Sequence, residues 1–202
     1  MRTVFVTMLG AALVLLAPGE SGAVTLEFEP SAPAVMVGST VKVAVVISGL
    51  GSGAAPSLST FDLNVTFDSS ILSFLGVAFG DPILGDQLDL SGSGAATDVV
   101  AGSGVVNVFE LSFDPAVDLN TLQAPGFTLA TLSFNGLSTG VSALGIAVNA
   151  LGDADGGSLA ADVLAGRVVV SGVPVPEPAP LLLLLAGVVG IACFRVRGPH
   201  RA

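Results

Sequence analysis

Nucleophilic hydrolysis needs a serine or cysteine beside a base, and a zinc site needs imidazole or thiolate ligands. Between residues 24 and 172 the chain supplies no such partners. Its one histidine is His200, its one cysteine is Cys193, and it has no tryptophan or tyrosine. Ser–His–Asp and Cys–His catalysis are therefore unavailable in that stretch. Carboxylate chemistry remains. Of 16 acids, all but Glu20 and Glu177 lie in residues 24–172, where the only bases are Lys42 and Arg167, giving a net charge of 2 − 14 = −12. Two carboxylates set about 5–10 Å apart across a cleft can hydrolyse a glycosidic bond, so a polysaccharide-active hydrolase using surface carboxylates is the alternative function. The acids, however, are scattered singly over turns and outward strand positions, the pattern of solvated surface charge. Nucleic acid is excluded as a partner, because phosphate demands a basic footprint.

Three smaller motifs complete the chemical inventory. Asp153-Ala154-Asp155-Gly156 opens like a calcium loop, with Asp162 nearby, but Leu164 stands where the distal glutamate belongs. A loop-stabilising calcium ion and a plain acidic turn are both open readings; no other cofactor is indicated. Asn64-Val65-Thr66 is a glycosylation sequon, coincidental if Asn64 lies mid-strand. Sugar rings are often bound by stacking on tryptophan or tyrosine. Here only phenylalanine could stack, and Phe61, Phe67, Phe109, Phe113 and Phe134 occupy core-like positions.

The elements around this acidic stretch are two hydrophobic ends. Arg2 precedes the apolar run of residues 4–17, and Pro18, Gly19, Ser21 and Ala23 follow. A basic start, an apolar core and small residues at −3 and −1 predict a signal peptide over residues 1–23, cleaved after Ala23. At the other end, prolines 174, 176, 178 and 180 make residues 173–180 an extended spacer. Residues 181–194 carry no charge, and Arg195, Arg197 and Arg201 close the chain. That run covers roughly 21 Å as a helix against a hydrocarbon core of about 30 Å. Extending it to about residues 179–196, with Arg195 snorkelling, brings it to the lower edge of a membrane-spanning helix. The arginines are expected to stay cytoplasmic. Cys193 reads as a small apolar residue of this helix.

Val175-Pro176-Glu177-Pro178, a short apolar helix and a terminal arginine cluster together resemble the PEP-CTERM sorting signal of Gram-negative bacteria. The resemblance covers residues 173–202. It implies that Pro176, Glu177 and Pro178 are the recognition triplet for an exosortase-type processing enzyme, with Arg195 and Arg197 in the basic stop. It further implies export to the cell surface or an extracellular polysaccharide matrix, with transient or permanent anchoring through the helix.

Within residues 24–172, alternation of apolar and polar residues is interrupted by Gly, Ser, Pro and Asp. Residues 60–68 put Phe61, Leu63, Val65 and Phe67 on one face and Asp62, Asn64, Thr66 and Asp68 on the other, as a half-buried strand does. Residues 41–47 are nearly all β-branched and predict a strand buried on both faces or under a cover. Residues 105–113 group Val105, Phe109, Leu111 and Phe113; residues 128–134 group Ala130, Leu132 and Phe134; residues 142–148 group Leu144, Ile146 and Val148. Residues 166–171 are a last short strand. Turn formers, Asn135-Gly136 among them, separate these runs, and no amphipathic helix is evident. The reading is all-β, a sandwich or jelly roll.

The order of these segments is similar to that of cohesin domains. Residues 59–68, then Ser70-Ile71-Leu72-Ser73-Phe74, resemble the early strand motif of that family. Residues 127–134, then Gly140-Val141-Ser142-Ala143-Leu144, resemble a later one, and Gly166-Arg167-Val168-Val169-Val170 resembles the last strand. The resemblance implies a jelly-roll β-sandwich over residues 24–172, with a dockerin-like protein or extracellular polysaccharide as partner and no catalysis.

Overall fold

A computed structural model describes residues 23–172. In chain order the elements are β1 (Val24–Pro30), β2 (Ala34–Met36), β3 (Thr40–Ser48), β4 (Leu58–Thr66), β5 (Leu72–Phe79), β6 (Ala95–Gly102), β7 (Val105–Ser112), α1 (Ala116–Leu122), β8 (Gly126–Gly136), β9 (Gly140–Asp153), β10 (Ala161–Val163) and β11 (Gly166–Ser171). They form a five-stranded sheet, β10-β1-β3-β8-β5, packed on a six-stranded sheet, β2-β11-β9-β4-β7-β6. Pairing is antiparallel except for β1 with β10 and β2 with β11. The all-β sandwich expected from the alternation is therefore the architecture, and a strand does begin at Val24.

The sandwich closes because each sheet turns one apolar face inward. Leu26, Val41, Val43, Val45, Ile47, Leu132 and Phe134 of the first sheet meet Phe61, Leu63, Val65, Val106, Val108, Leu144 and Val168 of the second. Phe134 anchors an aromatic cluster, with ring centroids 5.0 Å from Phe67 and 5.9 Å from Phe74. Offset and tilted rings at these separations add about 0.5–1.5 kcal/mol per pair beyond burial. With two bases among fourteen acids and no disulfide available to residues 24–172, this burial carries the fold.

Several strand-level expectations need correction. β3 alternates buried and less buried residues, with Lys42 exposed, so it is covered on one face. Its β-branched run reflects sheet propensity rather than double burial. Asn135 and Gly136 end β8 inside the sheet, paired with β5, because a β-turn signal is local and the ladder overrides it. β9 runs on well past residue 148; Leu144 is buried, Ile146 partly so and Val148 exposed, and a bulge at Asn149 then breaks the alternation. A helix, α1, carries the chain from β7 to β8. It has seven residues and buries only Leu119, too short a stripe to show as amphipathic periodicity.

The phase of β7 is also inverted. Val106, Val108 and Glu110 point inward, while Phe109 is half-buried, Leu111 is 37% exposed and Phe113, just beyond the strand, is 57% exposed. Phe109 and Phe113 are thus not core residues, and one acid lies inside the sandwich. Residues 1–22 and 173–202, with the signal peptide, the sorting triplet Pro176, Glu177 and Pro178, the apolar helix, Arg195 and Arg197, lie outside the described residues. Among the described residues no helix is long and apolar enough to cross a membrane. Ala23, the expected cleavage position, is exposed directly before β1.

Candidate functional site

The outer face of the six-stranded sheet is built by strict alternation. With Phe61, Leu63 and Val65 of β4 turned inward, Asp62 and Asn64 face out. On β7, Asn107, Phe109 and Leu111 face out for the same reason. The register sets Asn64 opposite Asn107 and Asp62 opposite Phe109. β6 extends both rows, placing Val100 beside Asn107 and Asp98 beside Phe109. On the other flank, the β4–β9 register shifts between Asp62 and Leu63 and leaves Asn149 unpaired. A bulge of this kind re-aims a side chain, and Asn149 joins the face.

Four side chains from three strands then close a ring. Asn107 Nδ2 donates to Asp62 Oδ1 (2.5 Å) and to Asn64 Oδ1 (3.0 Å). Asn64 Nδ2 donates to Asn149 Oδ1 (3.1 Å), and Asn149 Nδ2 donates back to Asp62 Oδ1 (2.9 Å). Each bond contributes about 0.5–1.5 kcal/mol at most. Their larger effect is to fix four polar side chains in one arrangement before any partner arrives. Beside the ring, Val100 is 59% exposed, and Phe109 and Leu111 add apolar area. Asn64 of the sequon is thus a mid-strand member of this ring.

Several of the acids outside this ring work as turn builders. Asp68 Oδ1 accepts the Ser70 amide and hydroxyl, Asp86 Oδ1 the Leu88 amide, and Asp89 Oδ1 the Gly94 amide. Asp81 accepts the amides of Ile83, Leu84 and Thr128. Its partial burial alone would raise its pKa, but those hydrogen bonds outweigh it and bring the value down to about 2. Asp114 takes the amide and hydroxyl of Ser91. The calcium candidates behave alike: Asp153 Oδ1 accepts the amides of Asp155 (3.0 Å) and Gly157 (2.6 Å), and Asp155 accepts from Asn120. Asp162 sits in β10, opposite Thr25. Among the described residues no three His, Cys, Asp or Glu side chains are arranged to hold a metal ion.

Glu110 differs from all of these. It is 1% exposed, and its Oε1 meets no hydrogen-bonding partner. Burial, then the charge and hydrogen bond of Asp86, then the charge of Asp89, push its pKa up to about 8. Sequence reasoning placed the acids on outward strand faces and so missed it. The signal available was the Val106–Val108–Glu110 phase, which demands an inward glutamate if the valines are core.

A shallow groove of about 320 Å³ lies at the end carrying the β6–β7 hairpin, lined by Phe67, Ser69, Leu72, Phe74, Ser103 and Leu137. It holds no carboxylate. Paired acids in a cleft, the arrangement a glycosidase needs, do not line it.

No family model matches the sequence, and no curated protein matches it. Solved structures do. The sixth cohesin of scaffoldin B from Acetivibrio cellulolyticus, determined in complex with a Cel5 dockerin variant, is 21% identical, with a TM-score of 0.57 over 74% of this chain and 100% of that one. The seventh ScaB type I cohesin from Pseudobacteroides cellulosolvens is 17% identical, with a TM-score of 0.58 over 77% and 96% of the two chains. A non-cellulosomal cohesin from the archaeon Archaeoglobus fulgidus is 16% identical, with a TM-score of 0.54 over 80% and 98%. At these identities the likeness is one of fold: residues 24–172 have a cohesin-like fold.

Proposed function

We propose that the protein is an exported, non-enzymatic binding module that docks a dockerin-like protein on the outer face of its six-stranded sheet. The observation that carries this reading is the hydrogen-bonded ring of Asp62, Asn64, Asn107 and Asn149 beside exposed Val100 and Leu111. A fixed polar centre with adjoining apolar area suits a protein partner: apolar contacts supply affinity, and the pre-aimed amides and carboxylate supply orientation. A cohesin of the same fold was solved with a dockerin bound, which favours a partner of that kind.

Export by the residue 1–23 signal and sorting by the Pro176-Glu177-Pro178 tail place the module at the cell surface or in a polysaccharide matrix. There the acidity of residues 24–172 keeps it soluble and directs it toward a less acidic partner. The test is affinity capture from the producing bacterium with wild type and with Val100→Glu/Leu111→Glu. Capture of a dockerin-type protein by wild type, lost in the double variant, is the expected result. Retention of that partner by the variant, or recovery of polysaccharide alone, rejects the docking face. Mass spectrometry of the mature chain addresses sorting separately: termini at Val24 and near Pro178 are expected, and an intact Arg201 rejects it.

A further inference from the structure

We propose that Glu110 is a protonation latch that holds the segment of residues 80–94 across one end of the sandwich and releases it when the proton leaves. The segment is a cover. Gly80 N bonds Leu129 O, Asp81 Oδ2 accepts the Thr128 amide, Gln87 O accepts from Gln123 Nε2, and Leu88 is part of the core. Its Asp86 and Asp89 face Glu110, which is 1% exposed on the inner side of β7. The cross-strand neighbours of Glu110 are Phe61 on β4 and Thr97 on β6, neither charged. Lys42 and Arg167 contribute no charge to it.

In a buried site without a base, a carboxyl group set against other carboxylates is stabilised when it keeps its proton, since it then donates instead of repelling. The orphan Oε1 of Glu110 is satisfied if it carries that proton toward Asp86. Among the described residues no three His, Cys, Asp or Glu side chains are arranged to hold a metal ion, and a proton is the neutralising group proposed. When a solvent base removes it, two or three like charges face one another under the cover. The linkage sign follows from a folded value of about 8 against an ordinary 4.5. The contribution is fully present below about 4.5 and is lost as pH rises through about 8.

The experiment is calorimetric and circular-dichroism unfolding of the purified full-length chain from about pH 5 to pH 9, for wild type, E110Q and D86N. Between about pH 5 and 8 the wild-type unfolding constant should rise about tenfold per pH unit more steeply than that of E110Q, which keeps the donor but cannot ionise. D86N should move the break to lower pH. Hydrogen exchange, corrected for intrinsic rates, should show residues 82–93 opening first. Parallel wild-type and E110Q profiles overturn the latch, as does a break unmoved in D86N. Added calcium that raises wild-type melting near pH 9 but not that of E110Q overturns it in favour of a cation.

Discussion

Replacing Gln123 with alanine should remove a large part of the stability of this domain. Gln123 is buried at the end of α1 and its carboxamide acts as a short strand. Its Oε1 accepts the Leu58 amide (2.6 Å), and its Nε2 donates to Leu58 O (2.8 Å) and Gln87 O (2.9 Å). β7 pairs with β4 only from Thr60 onward, so no strand residue replaces Gln123 at Leu58. Truncation leaves three buried backbone groups without partners, at about 1–2 kcal/mol each, for a loss of about 3–6 kcal/mol. Domains of this size are stable by only about 5–15 kcal/mol. The chain has no tryptophan or tyrosine, so urea unfolding should be followed by circular dichroism. With a slope of about 2 kcal/mol/M, the midpoint should fall by roughly 2 M. Asn120→Ala, at a half-buried position of the same helix, is the control; it removes the single bond accepted from Ser57 Oγ (2.7 Å) and should cost about 1 kcal/mol. A Gln123→Ala loss no larger than that of the control would mean that water or a relaxed β4 satisfies Leu58, and the strand-mimic argument would fail.

Other predictions are briefer. Leu63→Ala, fully buried between the sheets, should cost about 2–5 kcal/mol with an unchanged urea slope. Gly104 turns the β6–β7 hairpin with φ +77°, and an added Cβ would lie 3.0 Å from Phe67 O; Gly104→Ala should therefore lower the melting temperature, whereas the same change at Gly76, with open space and no positive φ, should lower it less. Asp81, with a folded pKa of about 2 against 3.8, contributes stability that is present above about pH 4 and lost as pH falls toward 2; an acid titration of unfolding should be flatter in that window for Asp81→Ala. Asn107→Ala should cost about 1 kcal/mol of stability or less while weakening partner capture at least tenfold, since the ring loses its link between β7 and β4.

Much of the fold was legible because burial repeats with the period of the backbone. β4 and β11 lie close to where alternation put them, and Ala130, Leu132 and Phe134 of β8 are buried together. The losses have particular causes. A seven-residue helix with one buried leucine has no periodicity to find. The bulge at Asn149 shifts phase within β9, which pattern matching on a rigid period of two cannot follow. The ring depends on that bulge and on registers between strands far apart in sequence, so neither Asn107 nor Asn149 could be singled out from sequence. The acids were legible in number but not in role: six of them bind backbone amides at turns, and Glu110 sits inside.

The error on β7 carries the most information. Val105, Phe109, Leu111 and Phe113 form its more apolar row, yet the row that faces the core is Val106, Val108 and Glu110. A monomeric sandwich that needed only to fold would be expected to put the larger apolar side chains inside and the glutamate outside. The registers leave no freedom here, because Leu63 of β4 pairs with Val108 and must share its side. The strand is therefore held against its own hydrophobic preference by its neighbours. Conflict between local pattern and global fold is expected where function, rather than stability, set the residues. On β7 both halves of the conflict enter the proposals: the outward Phe109 and Leu111 flank the hydrogen-bonded ring of the proposed docking face, and the inward Glu110 is the proposed latch beneath the cover. The strand that misled the pattern is the one that joins the proposed docking face to the proposed pH response.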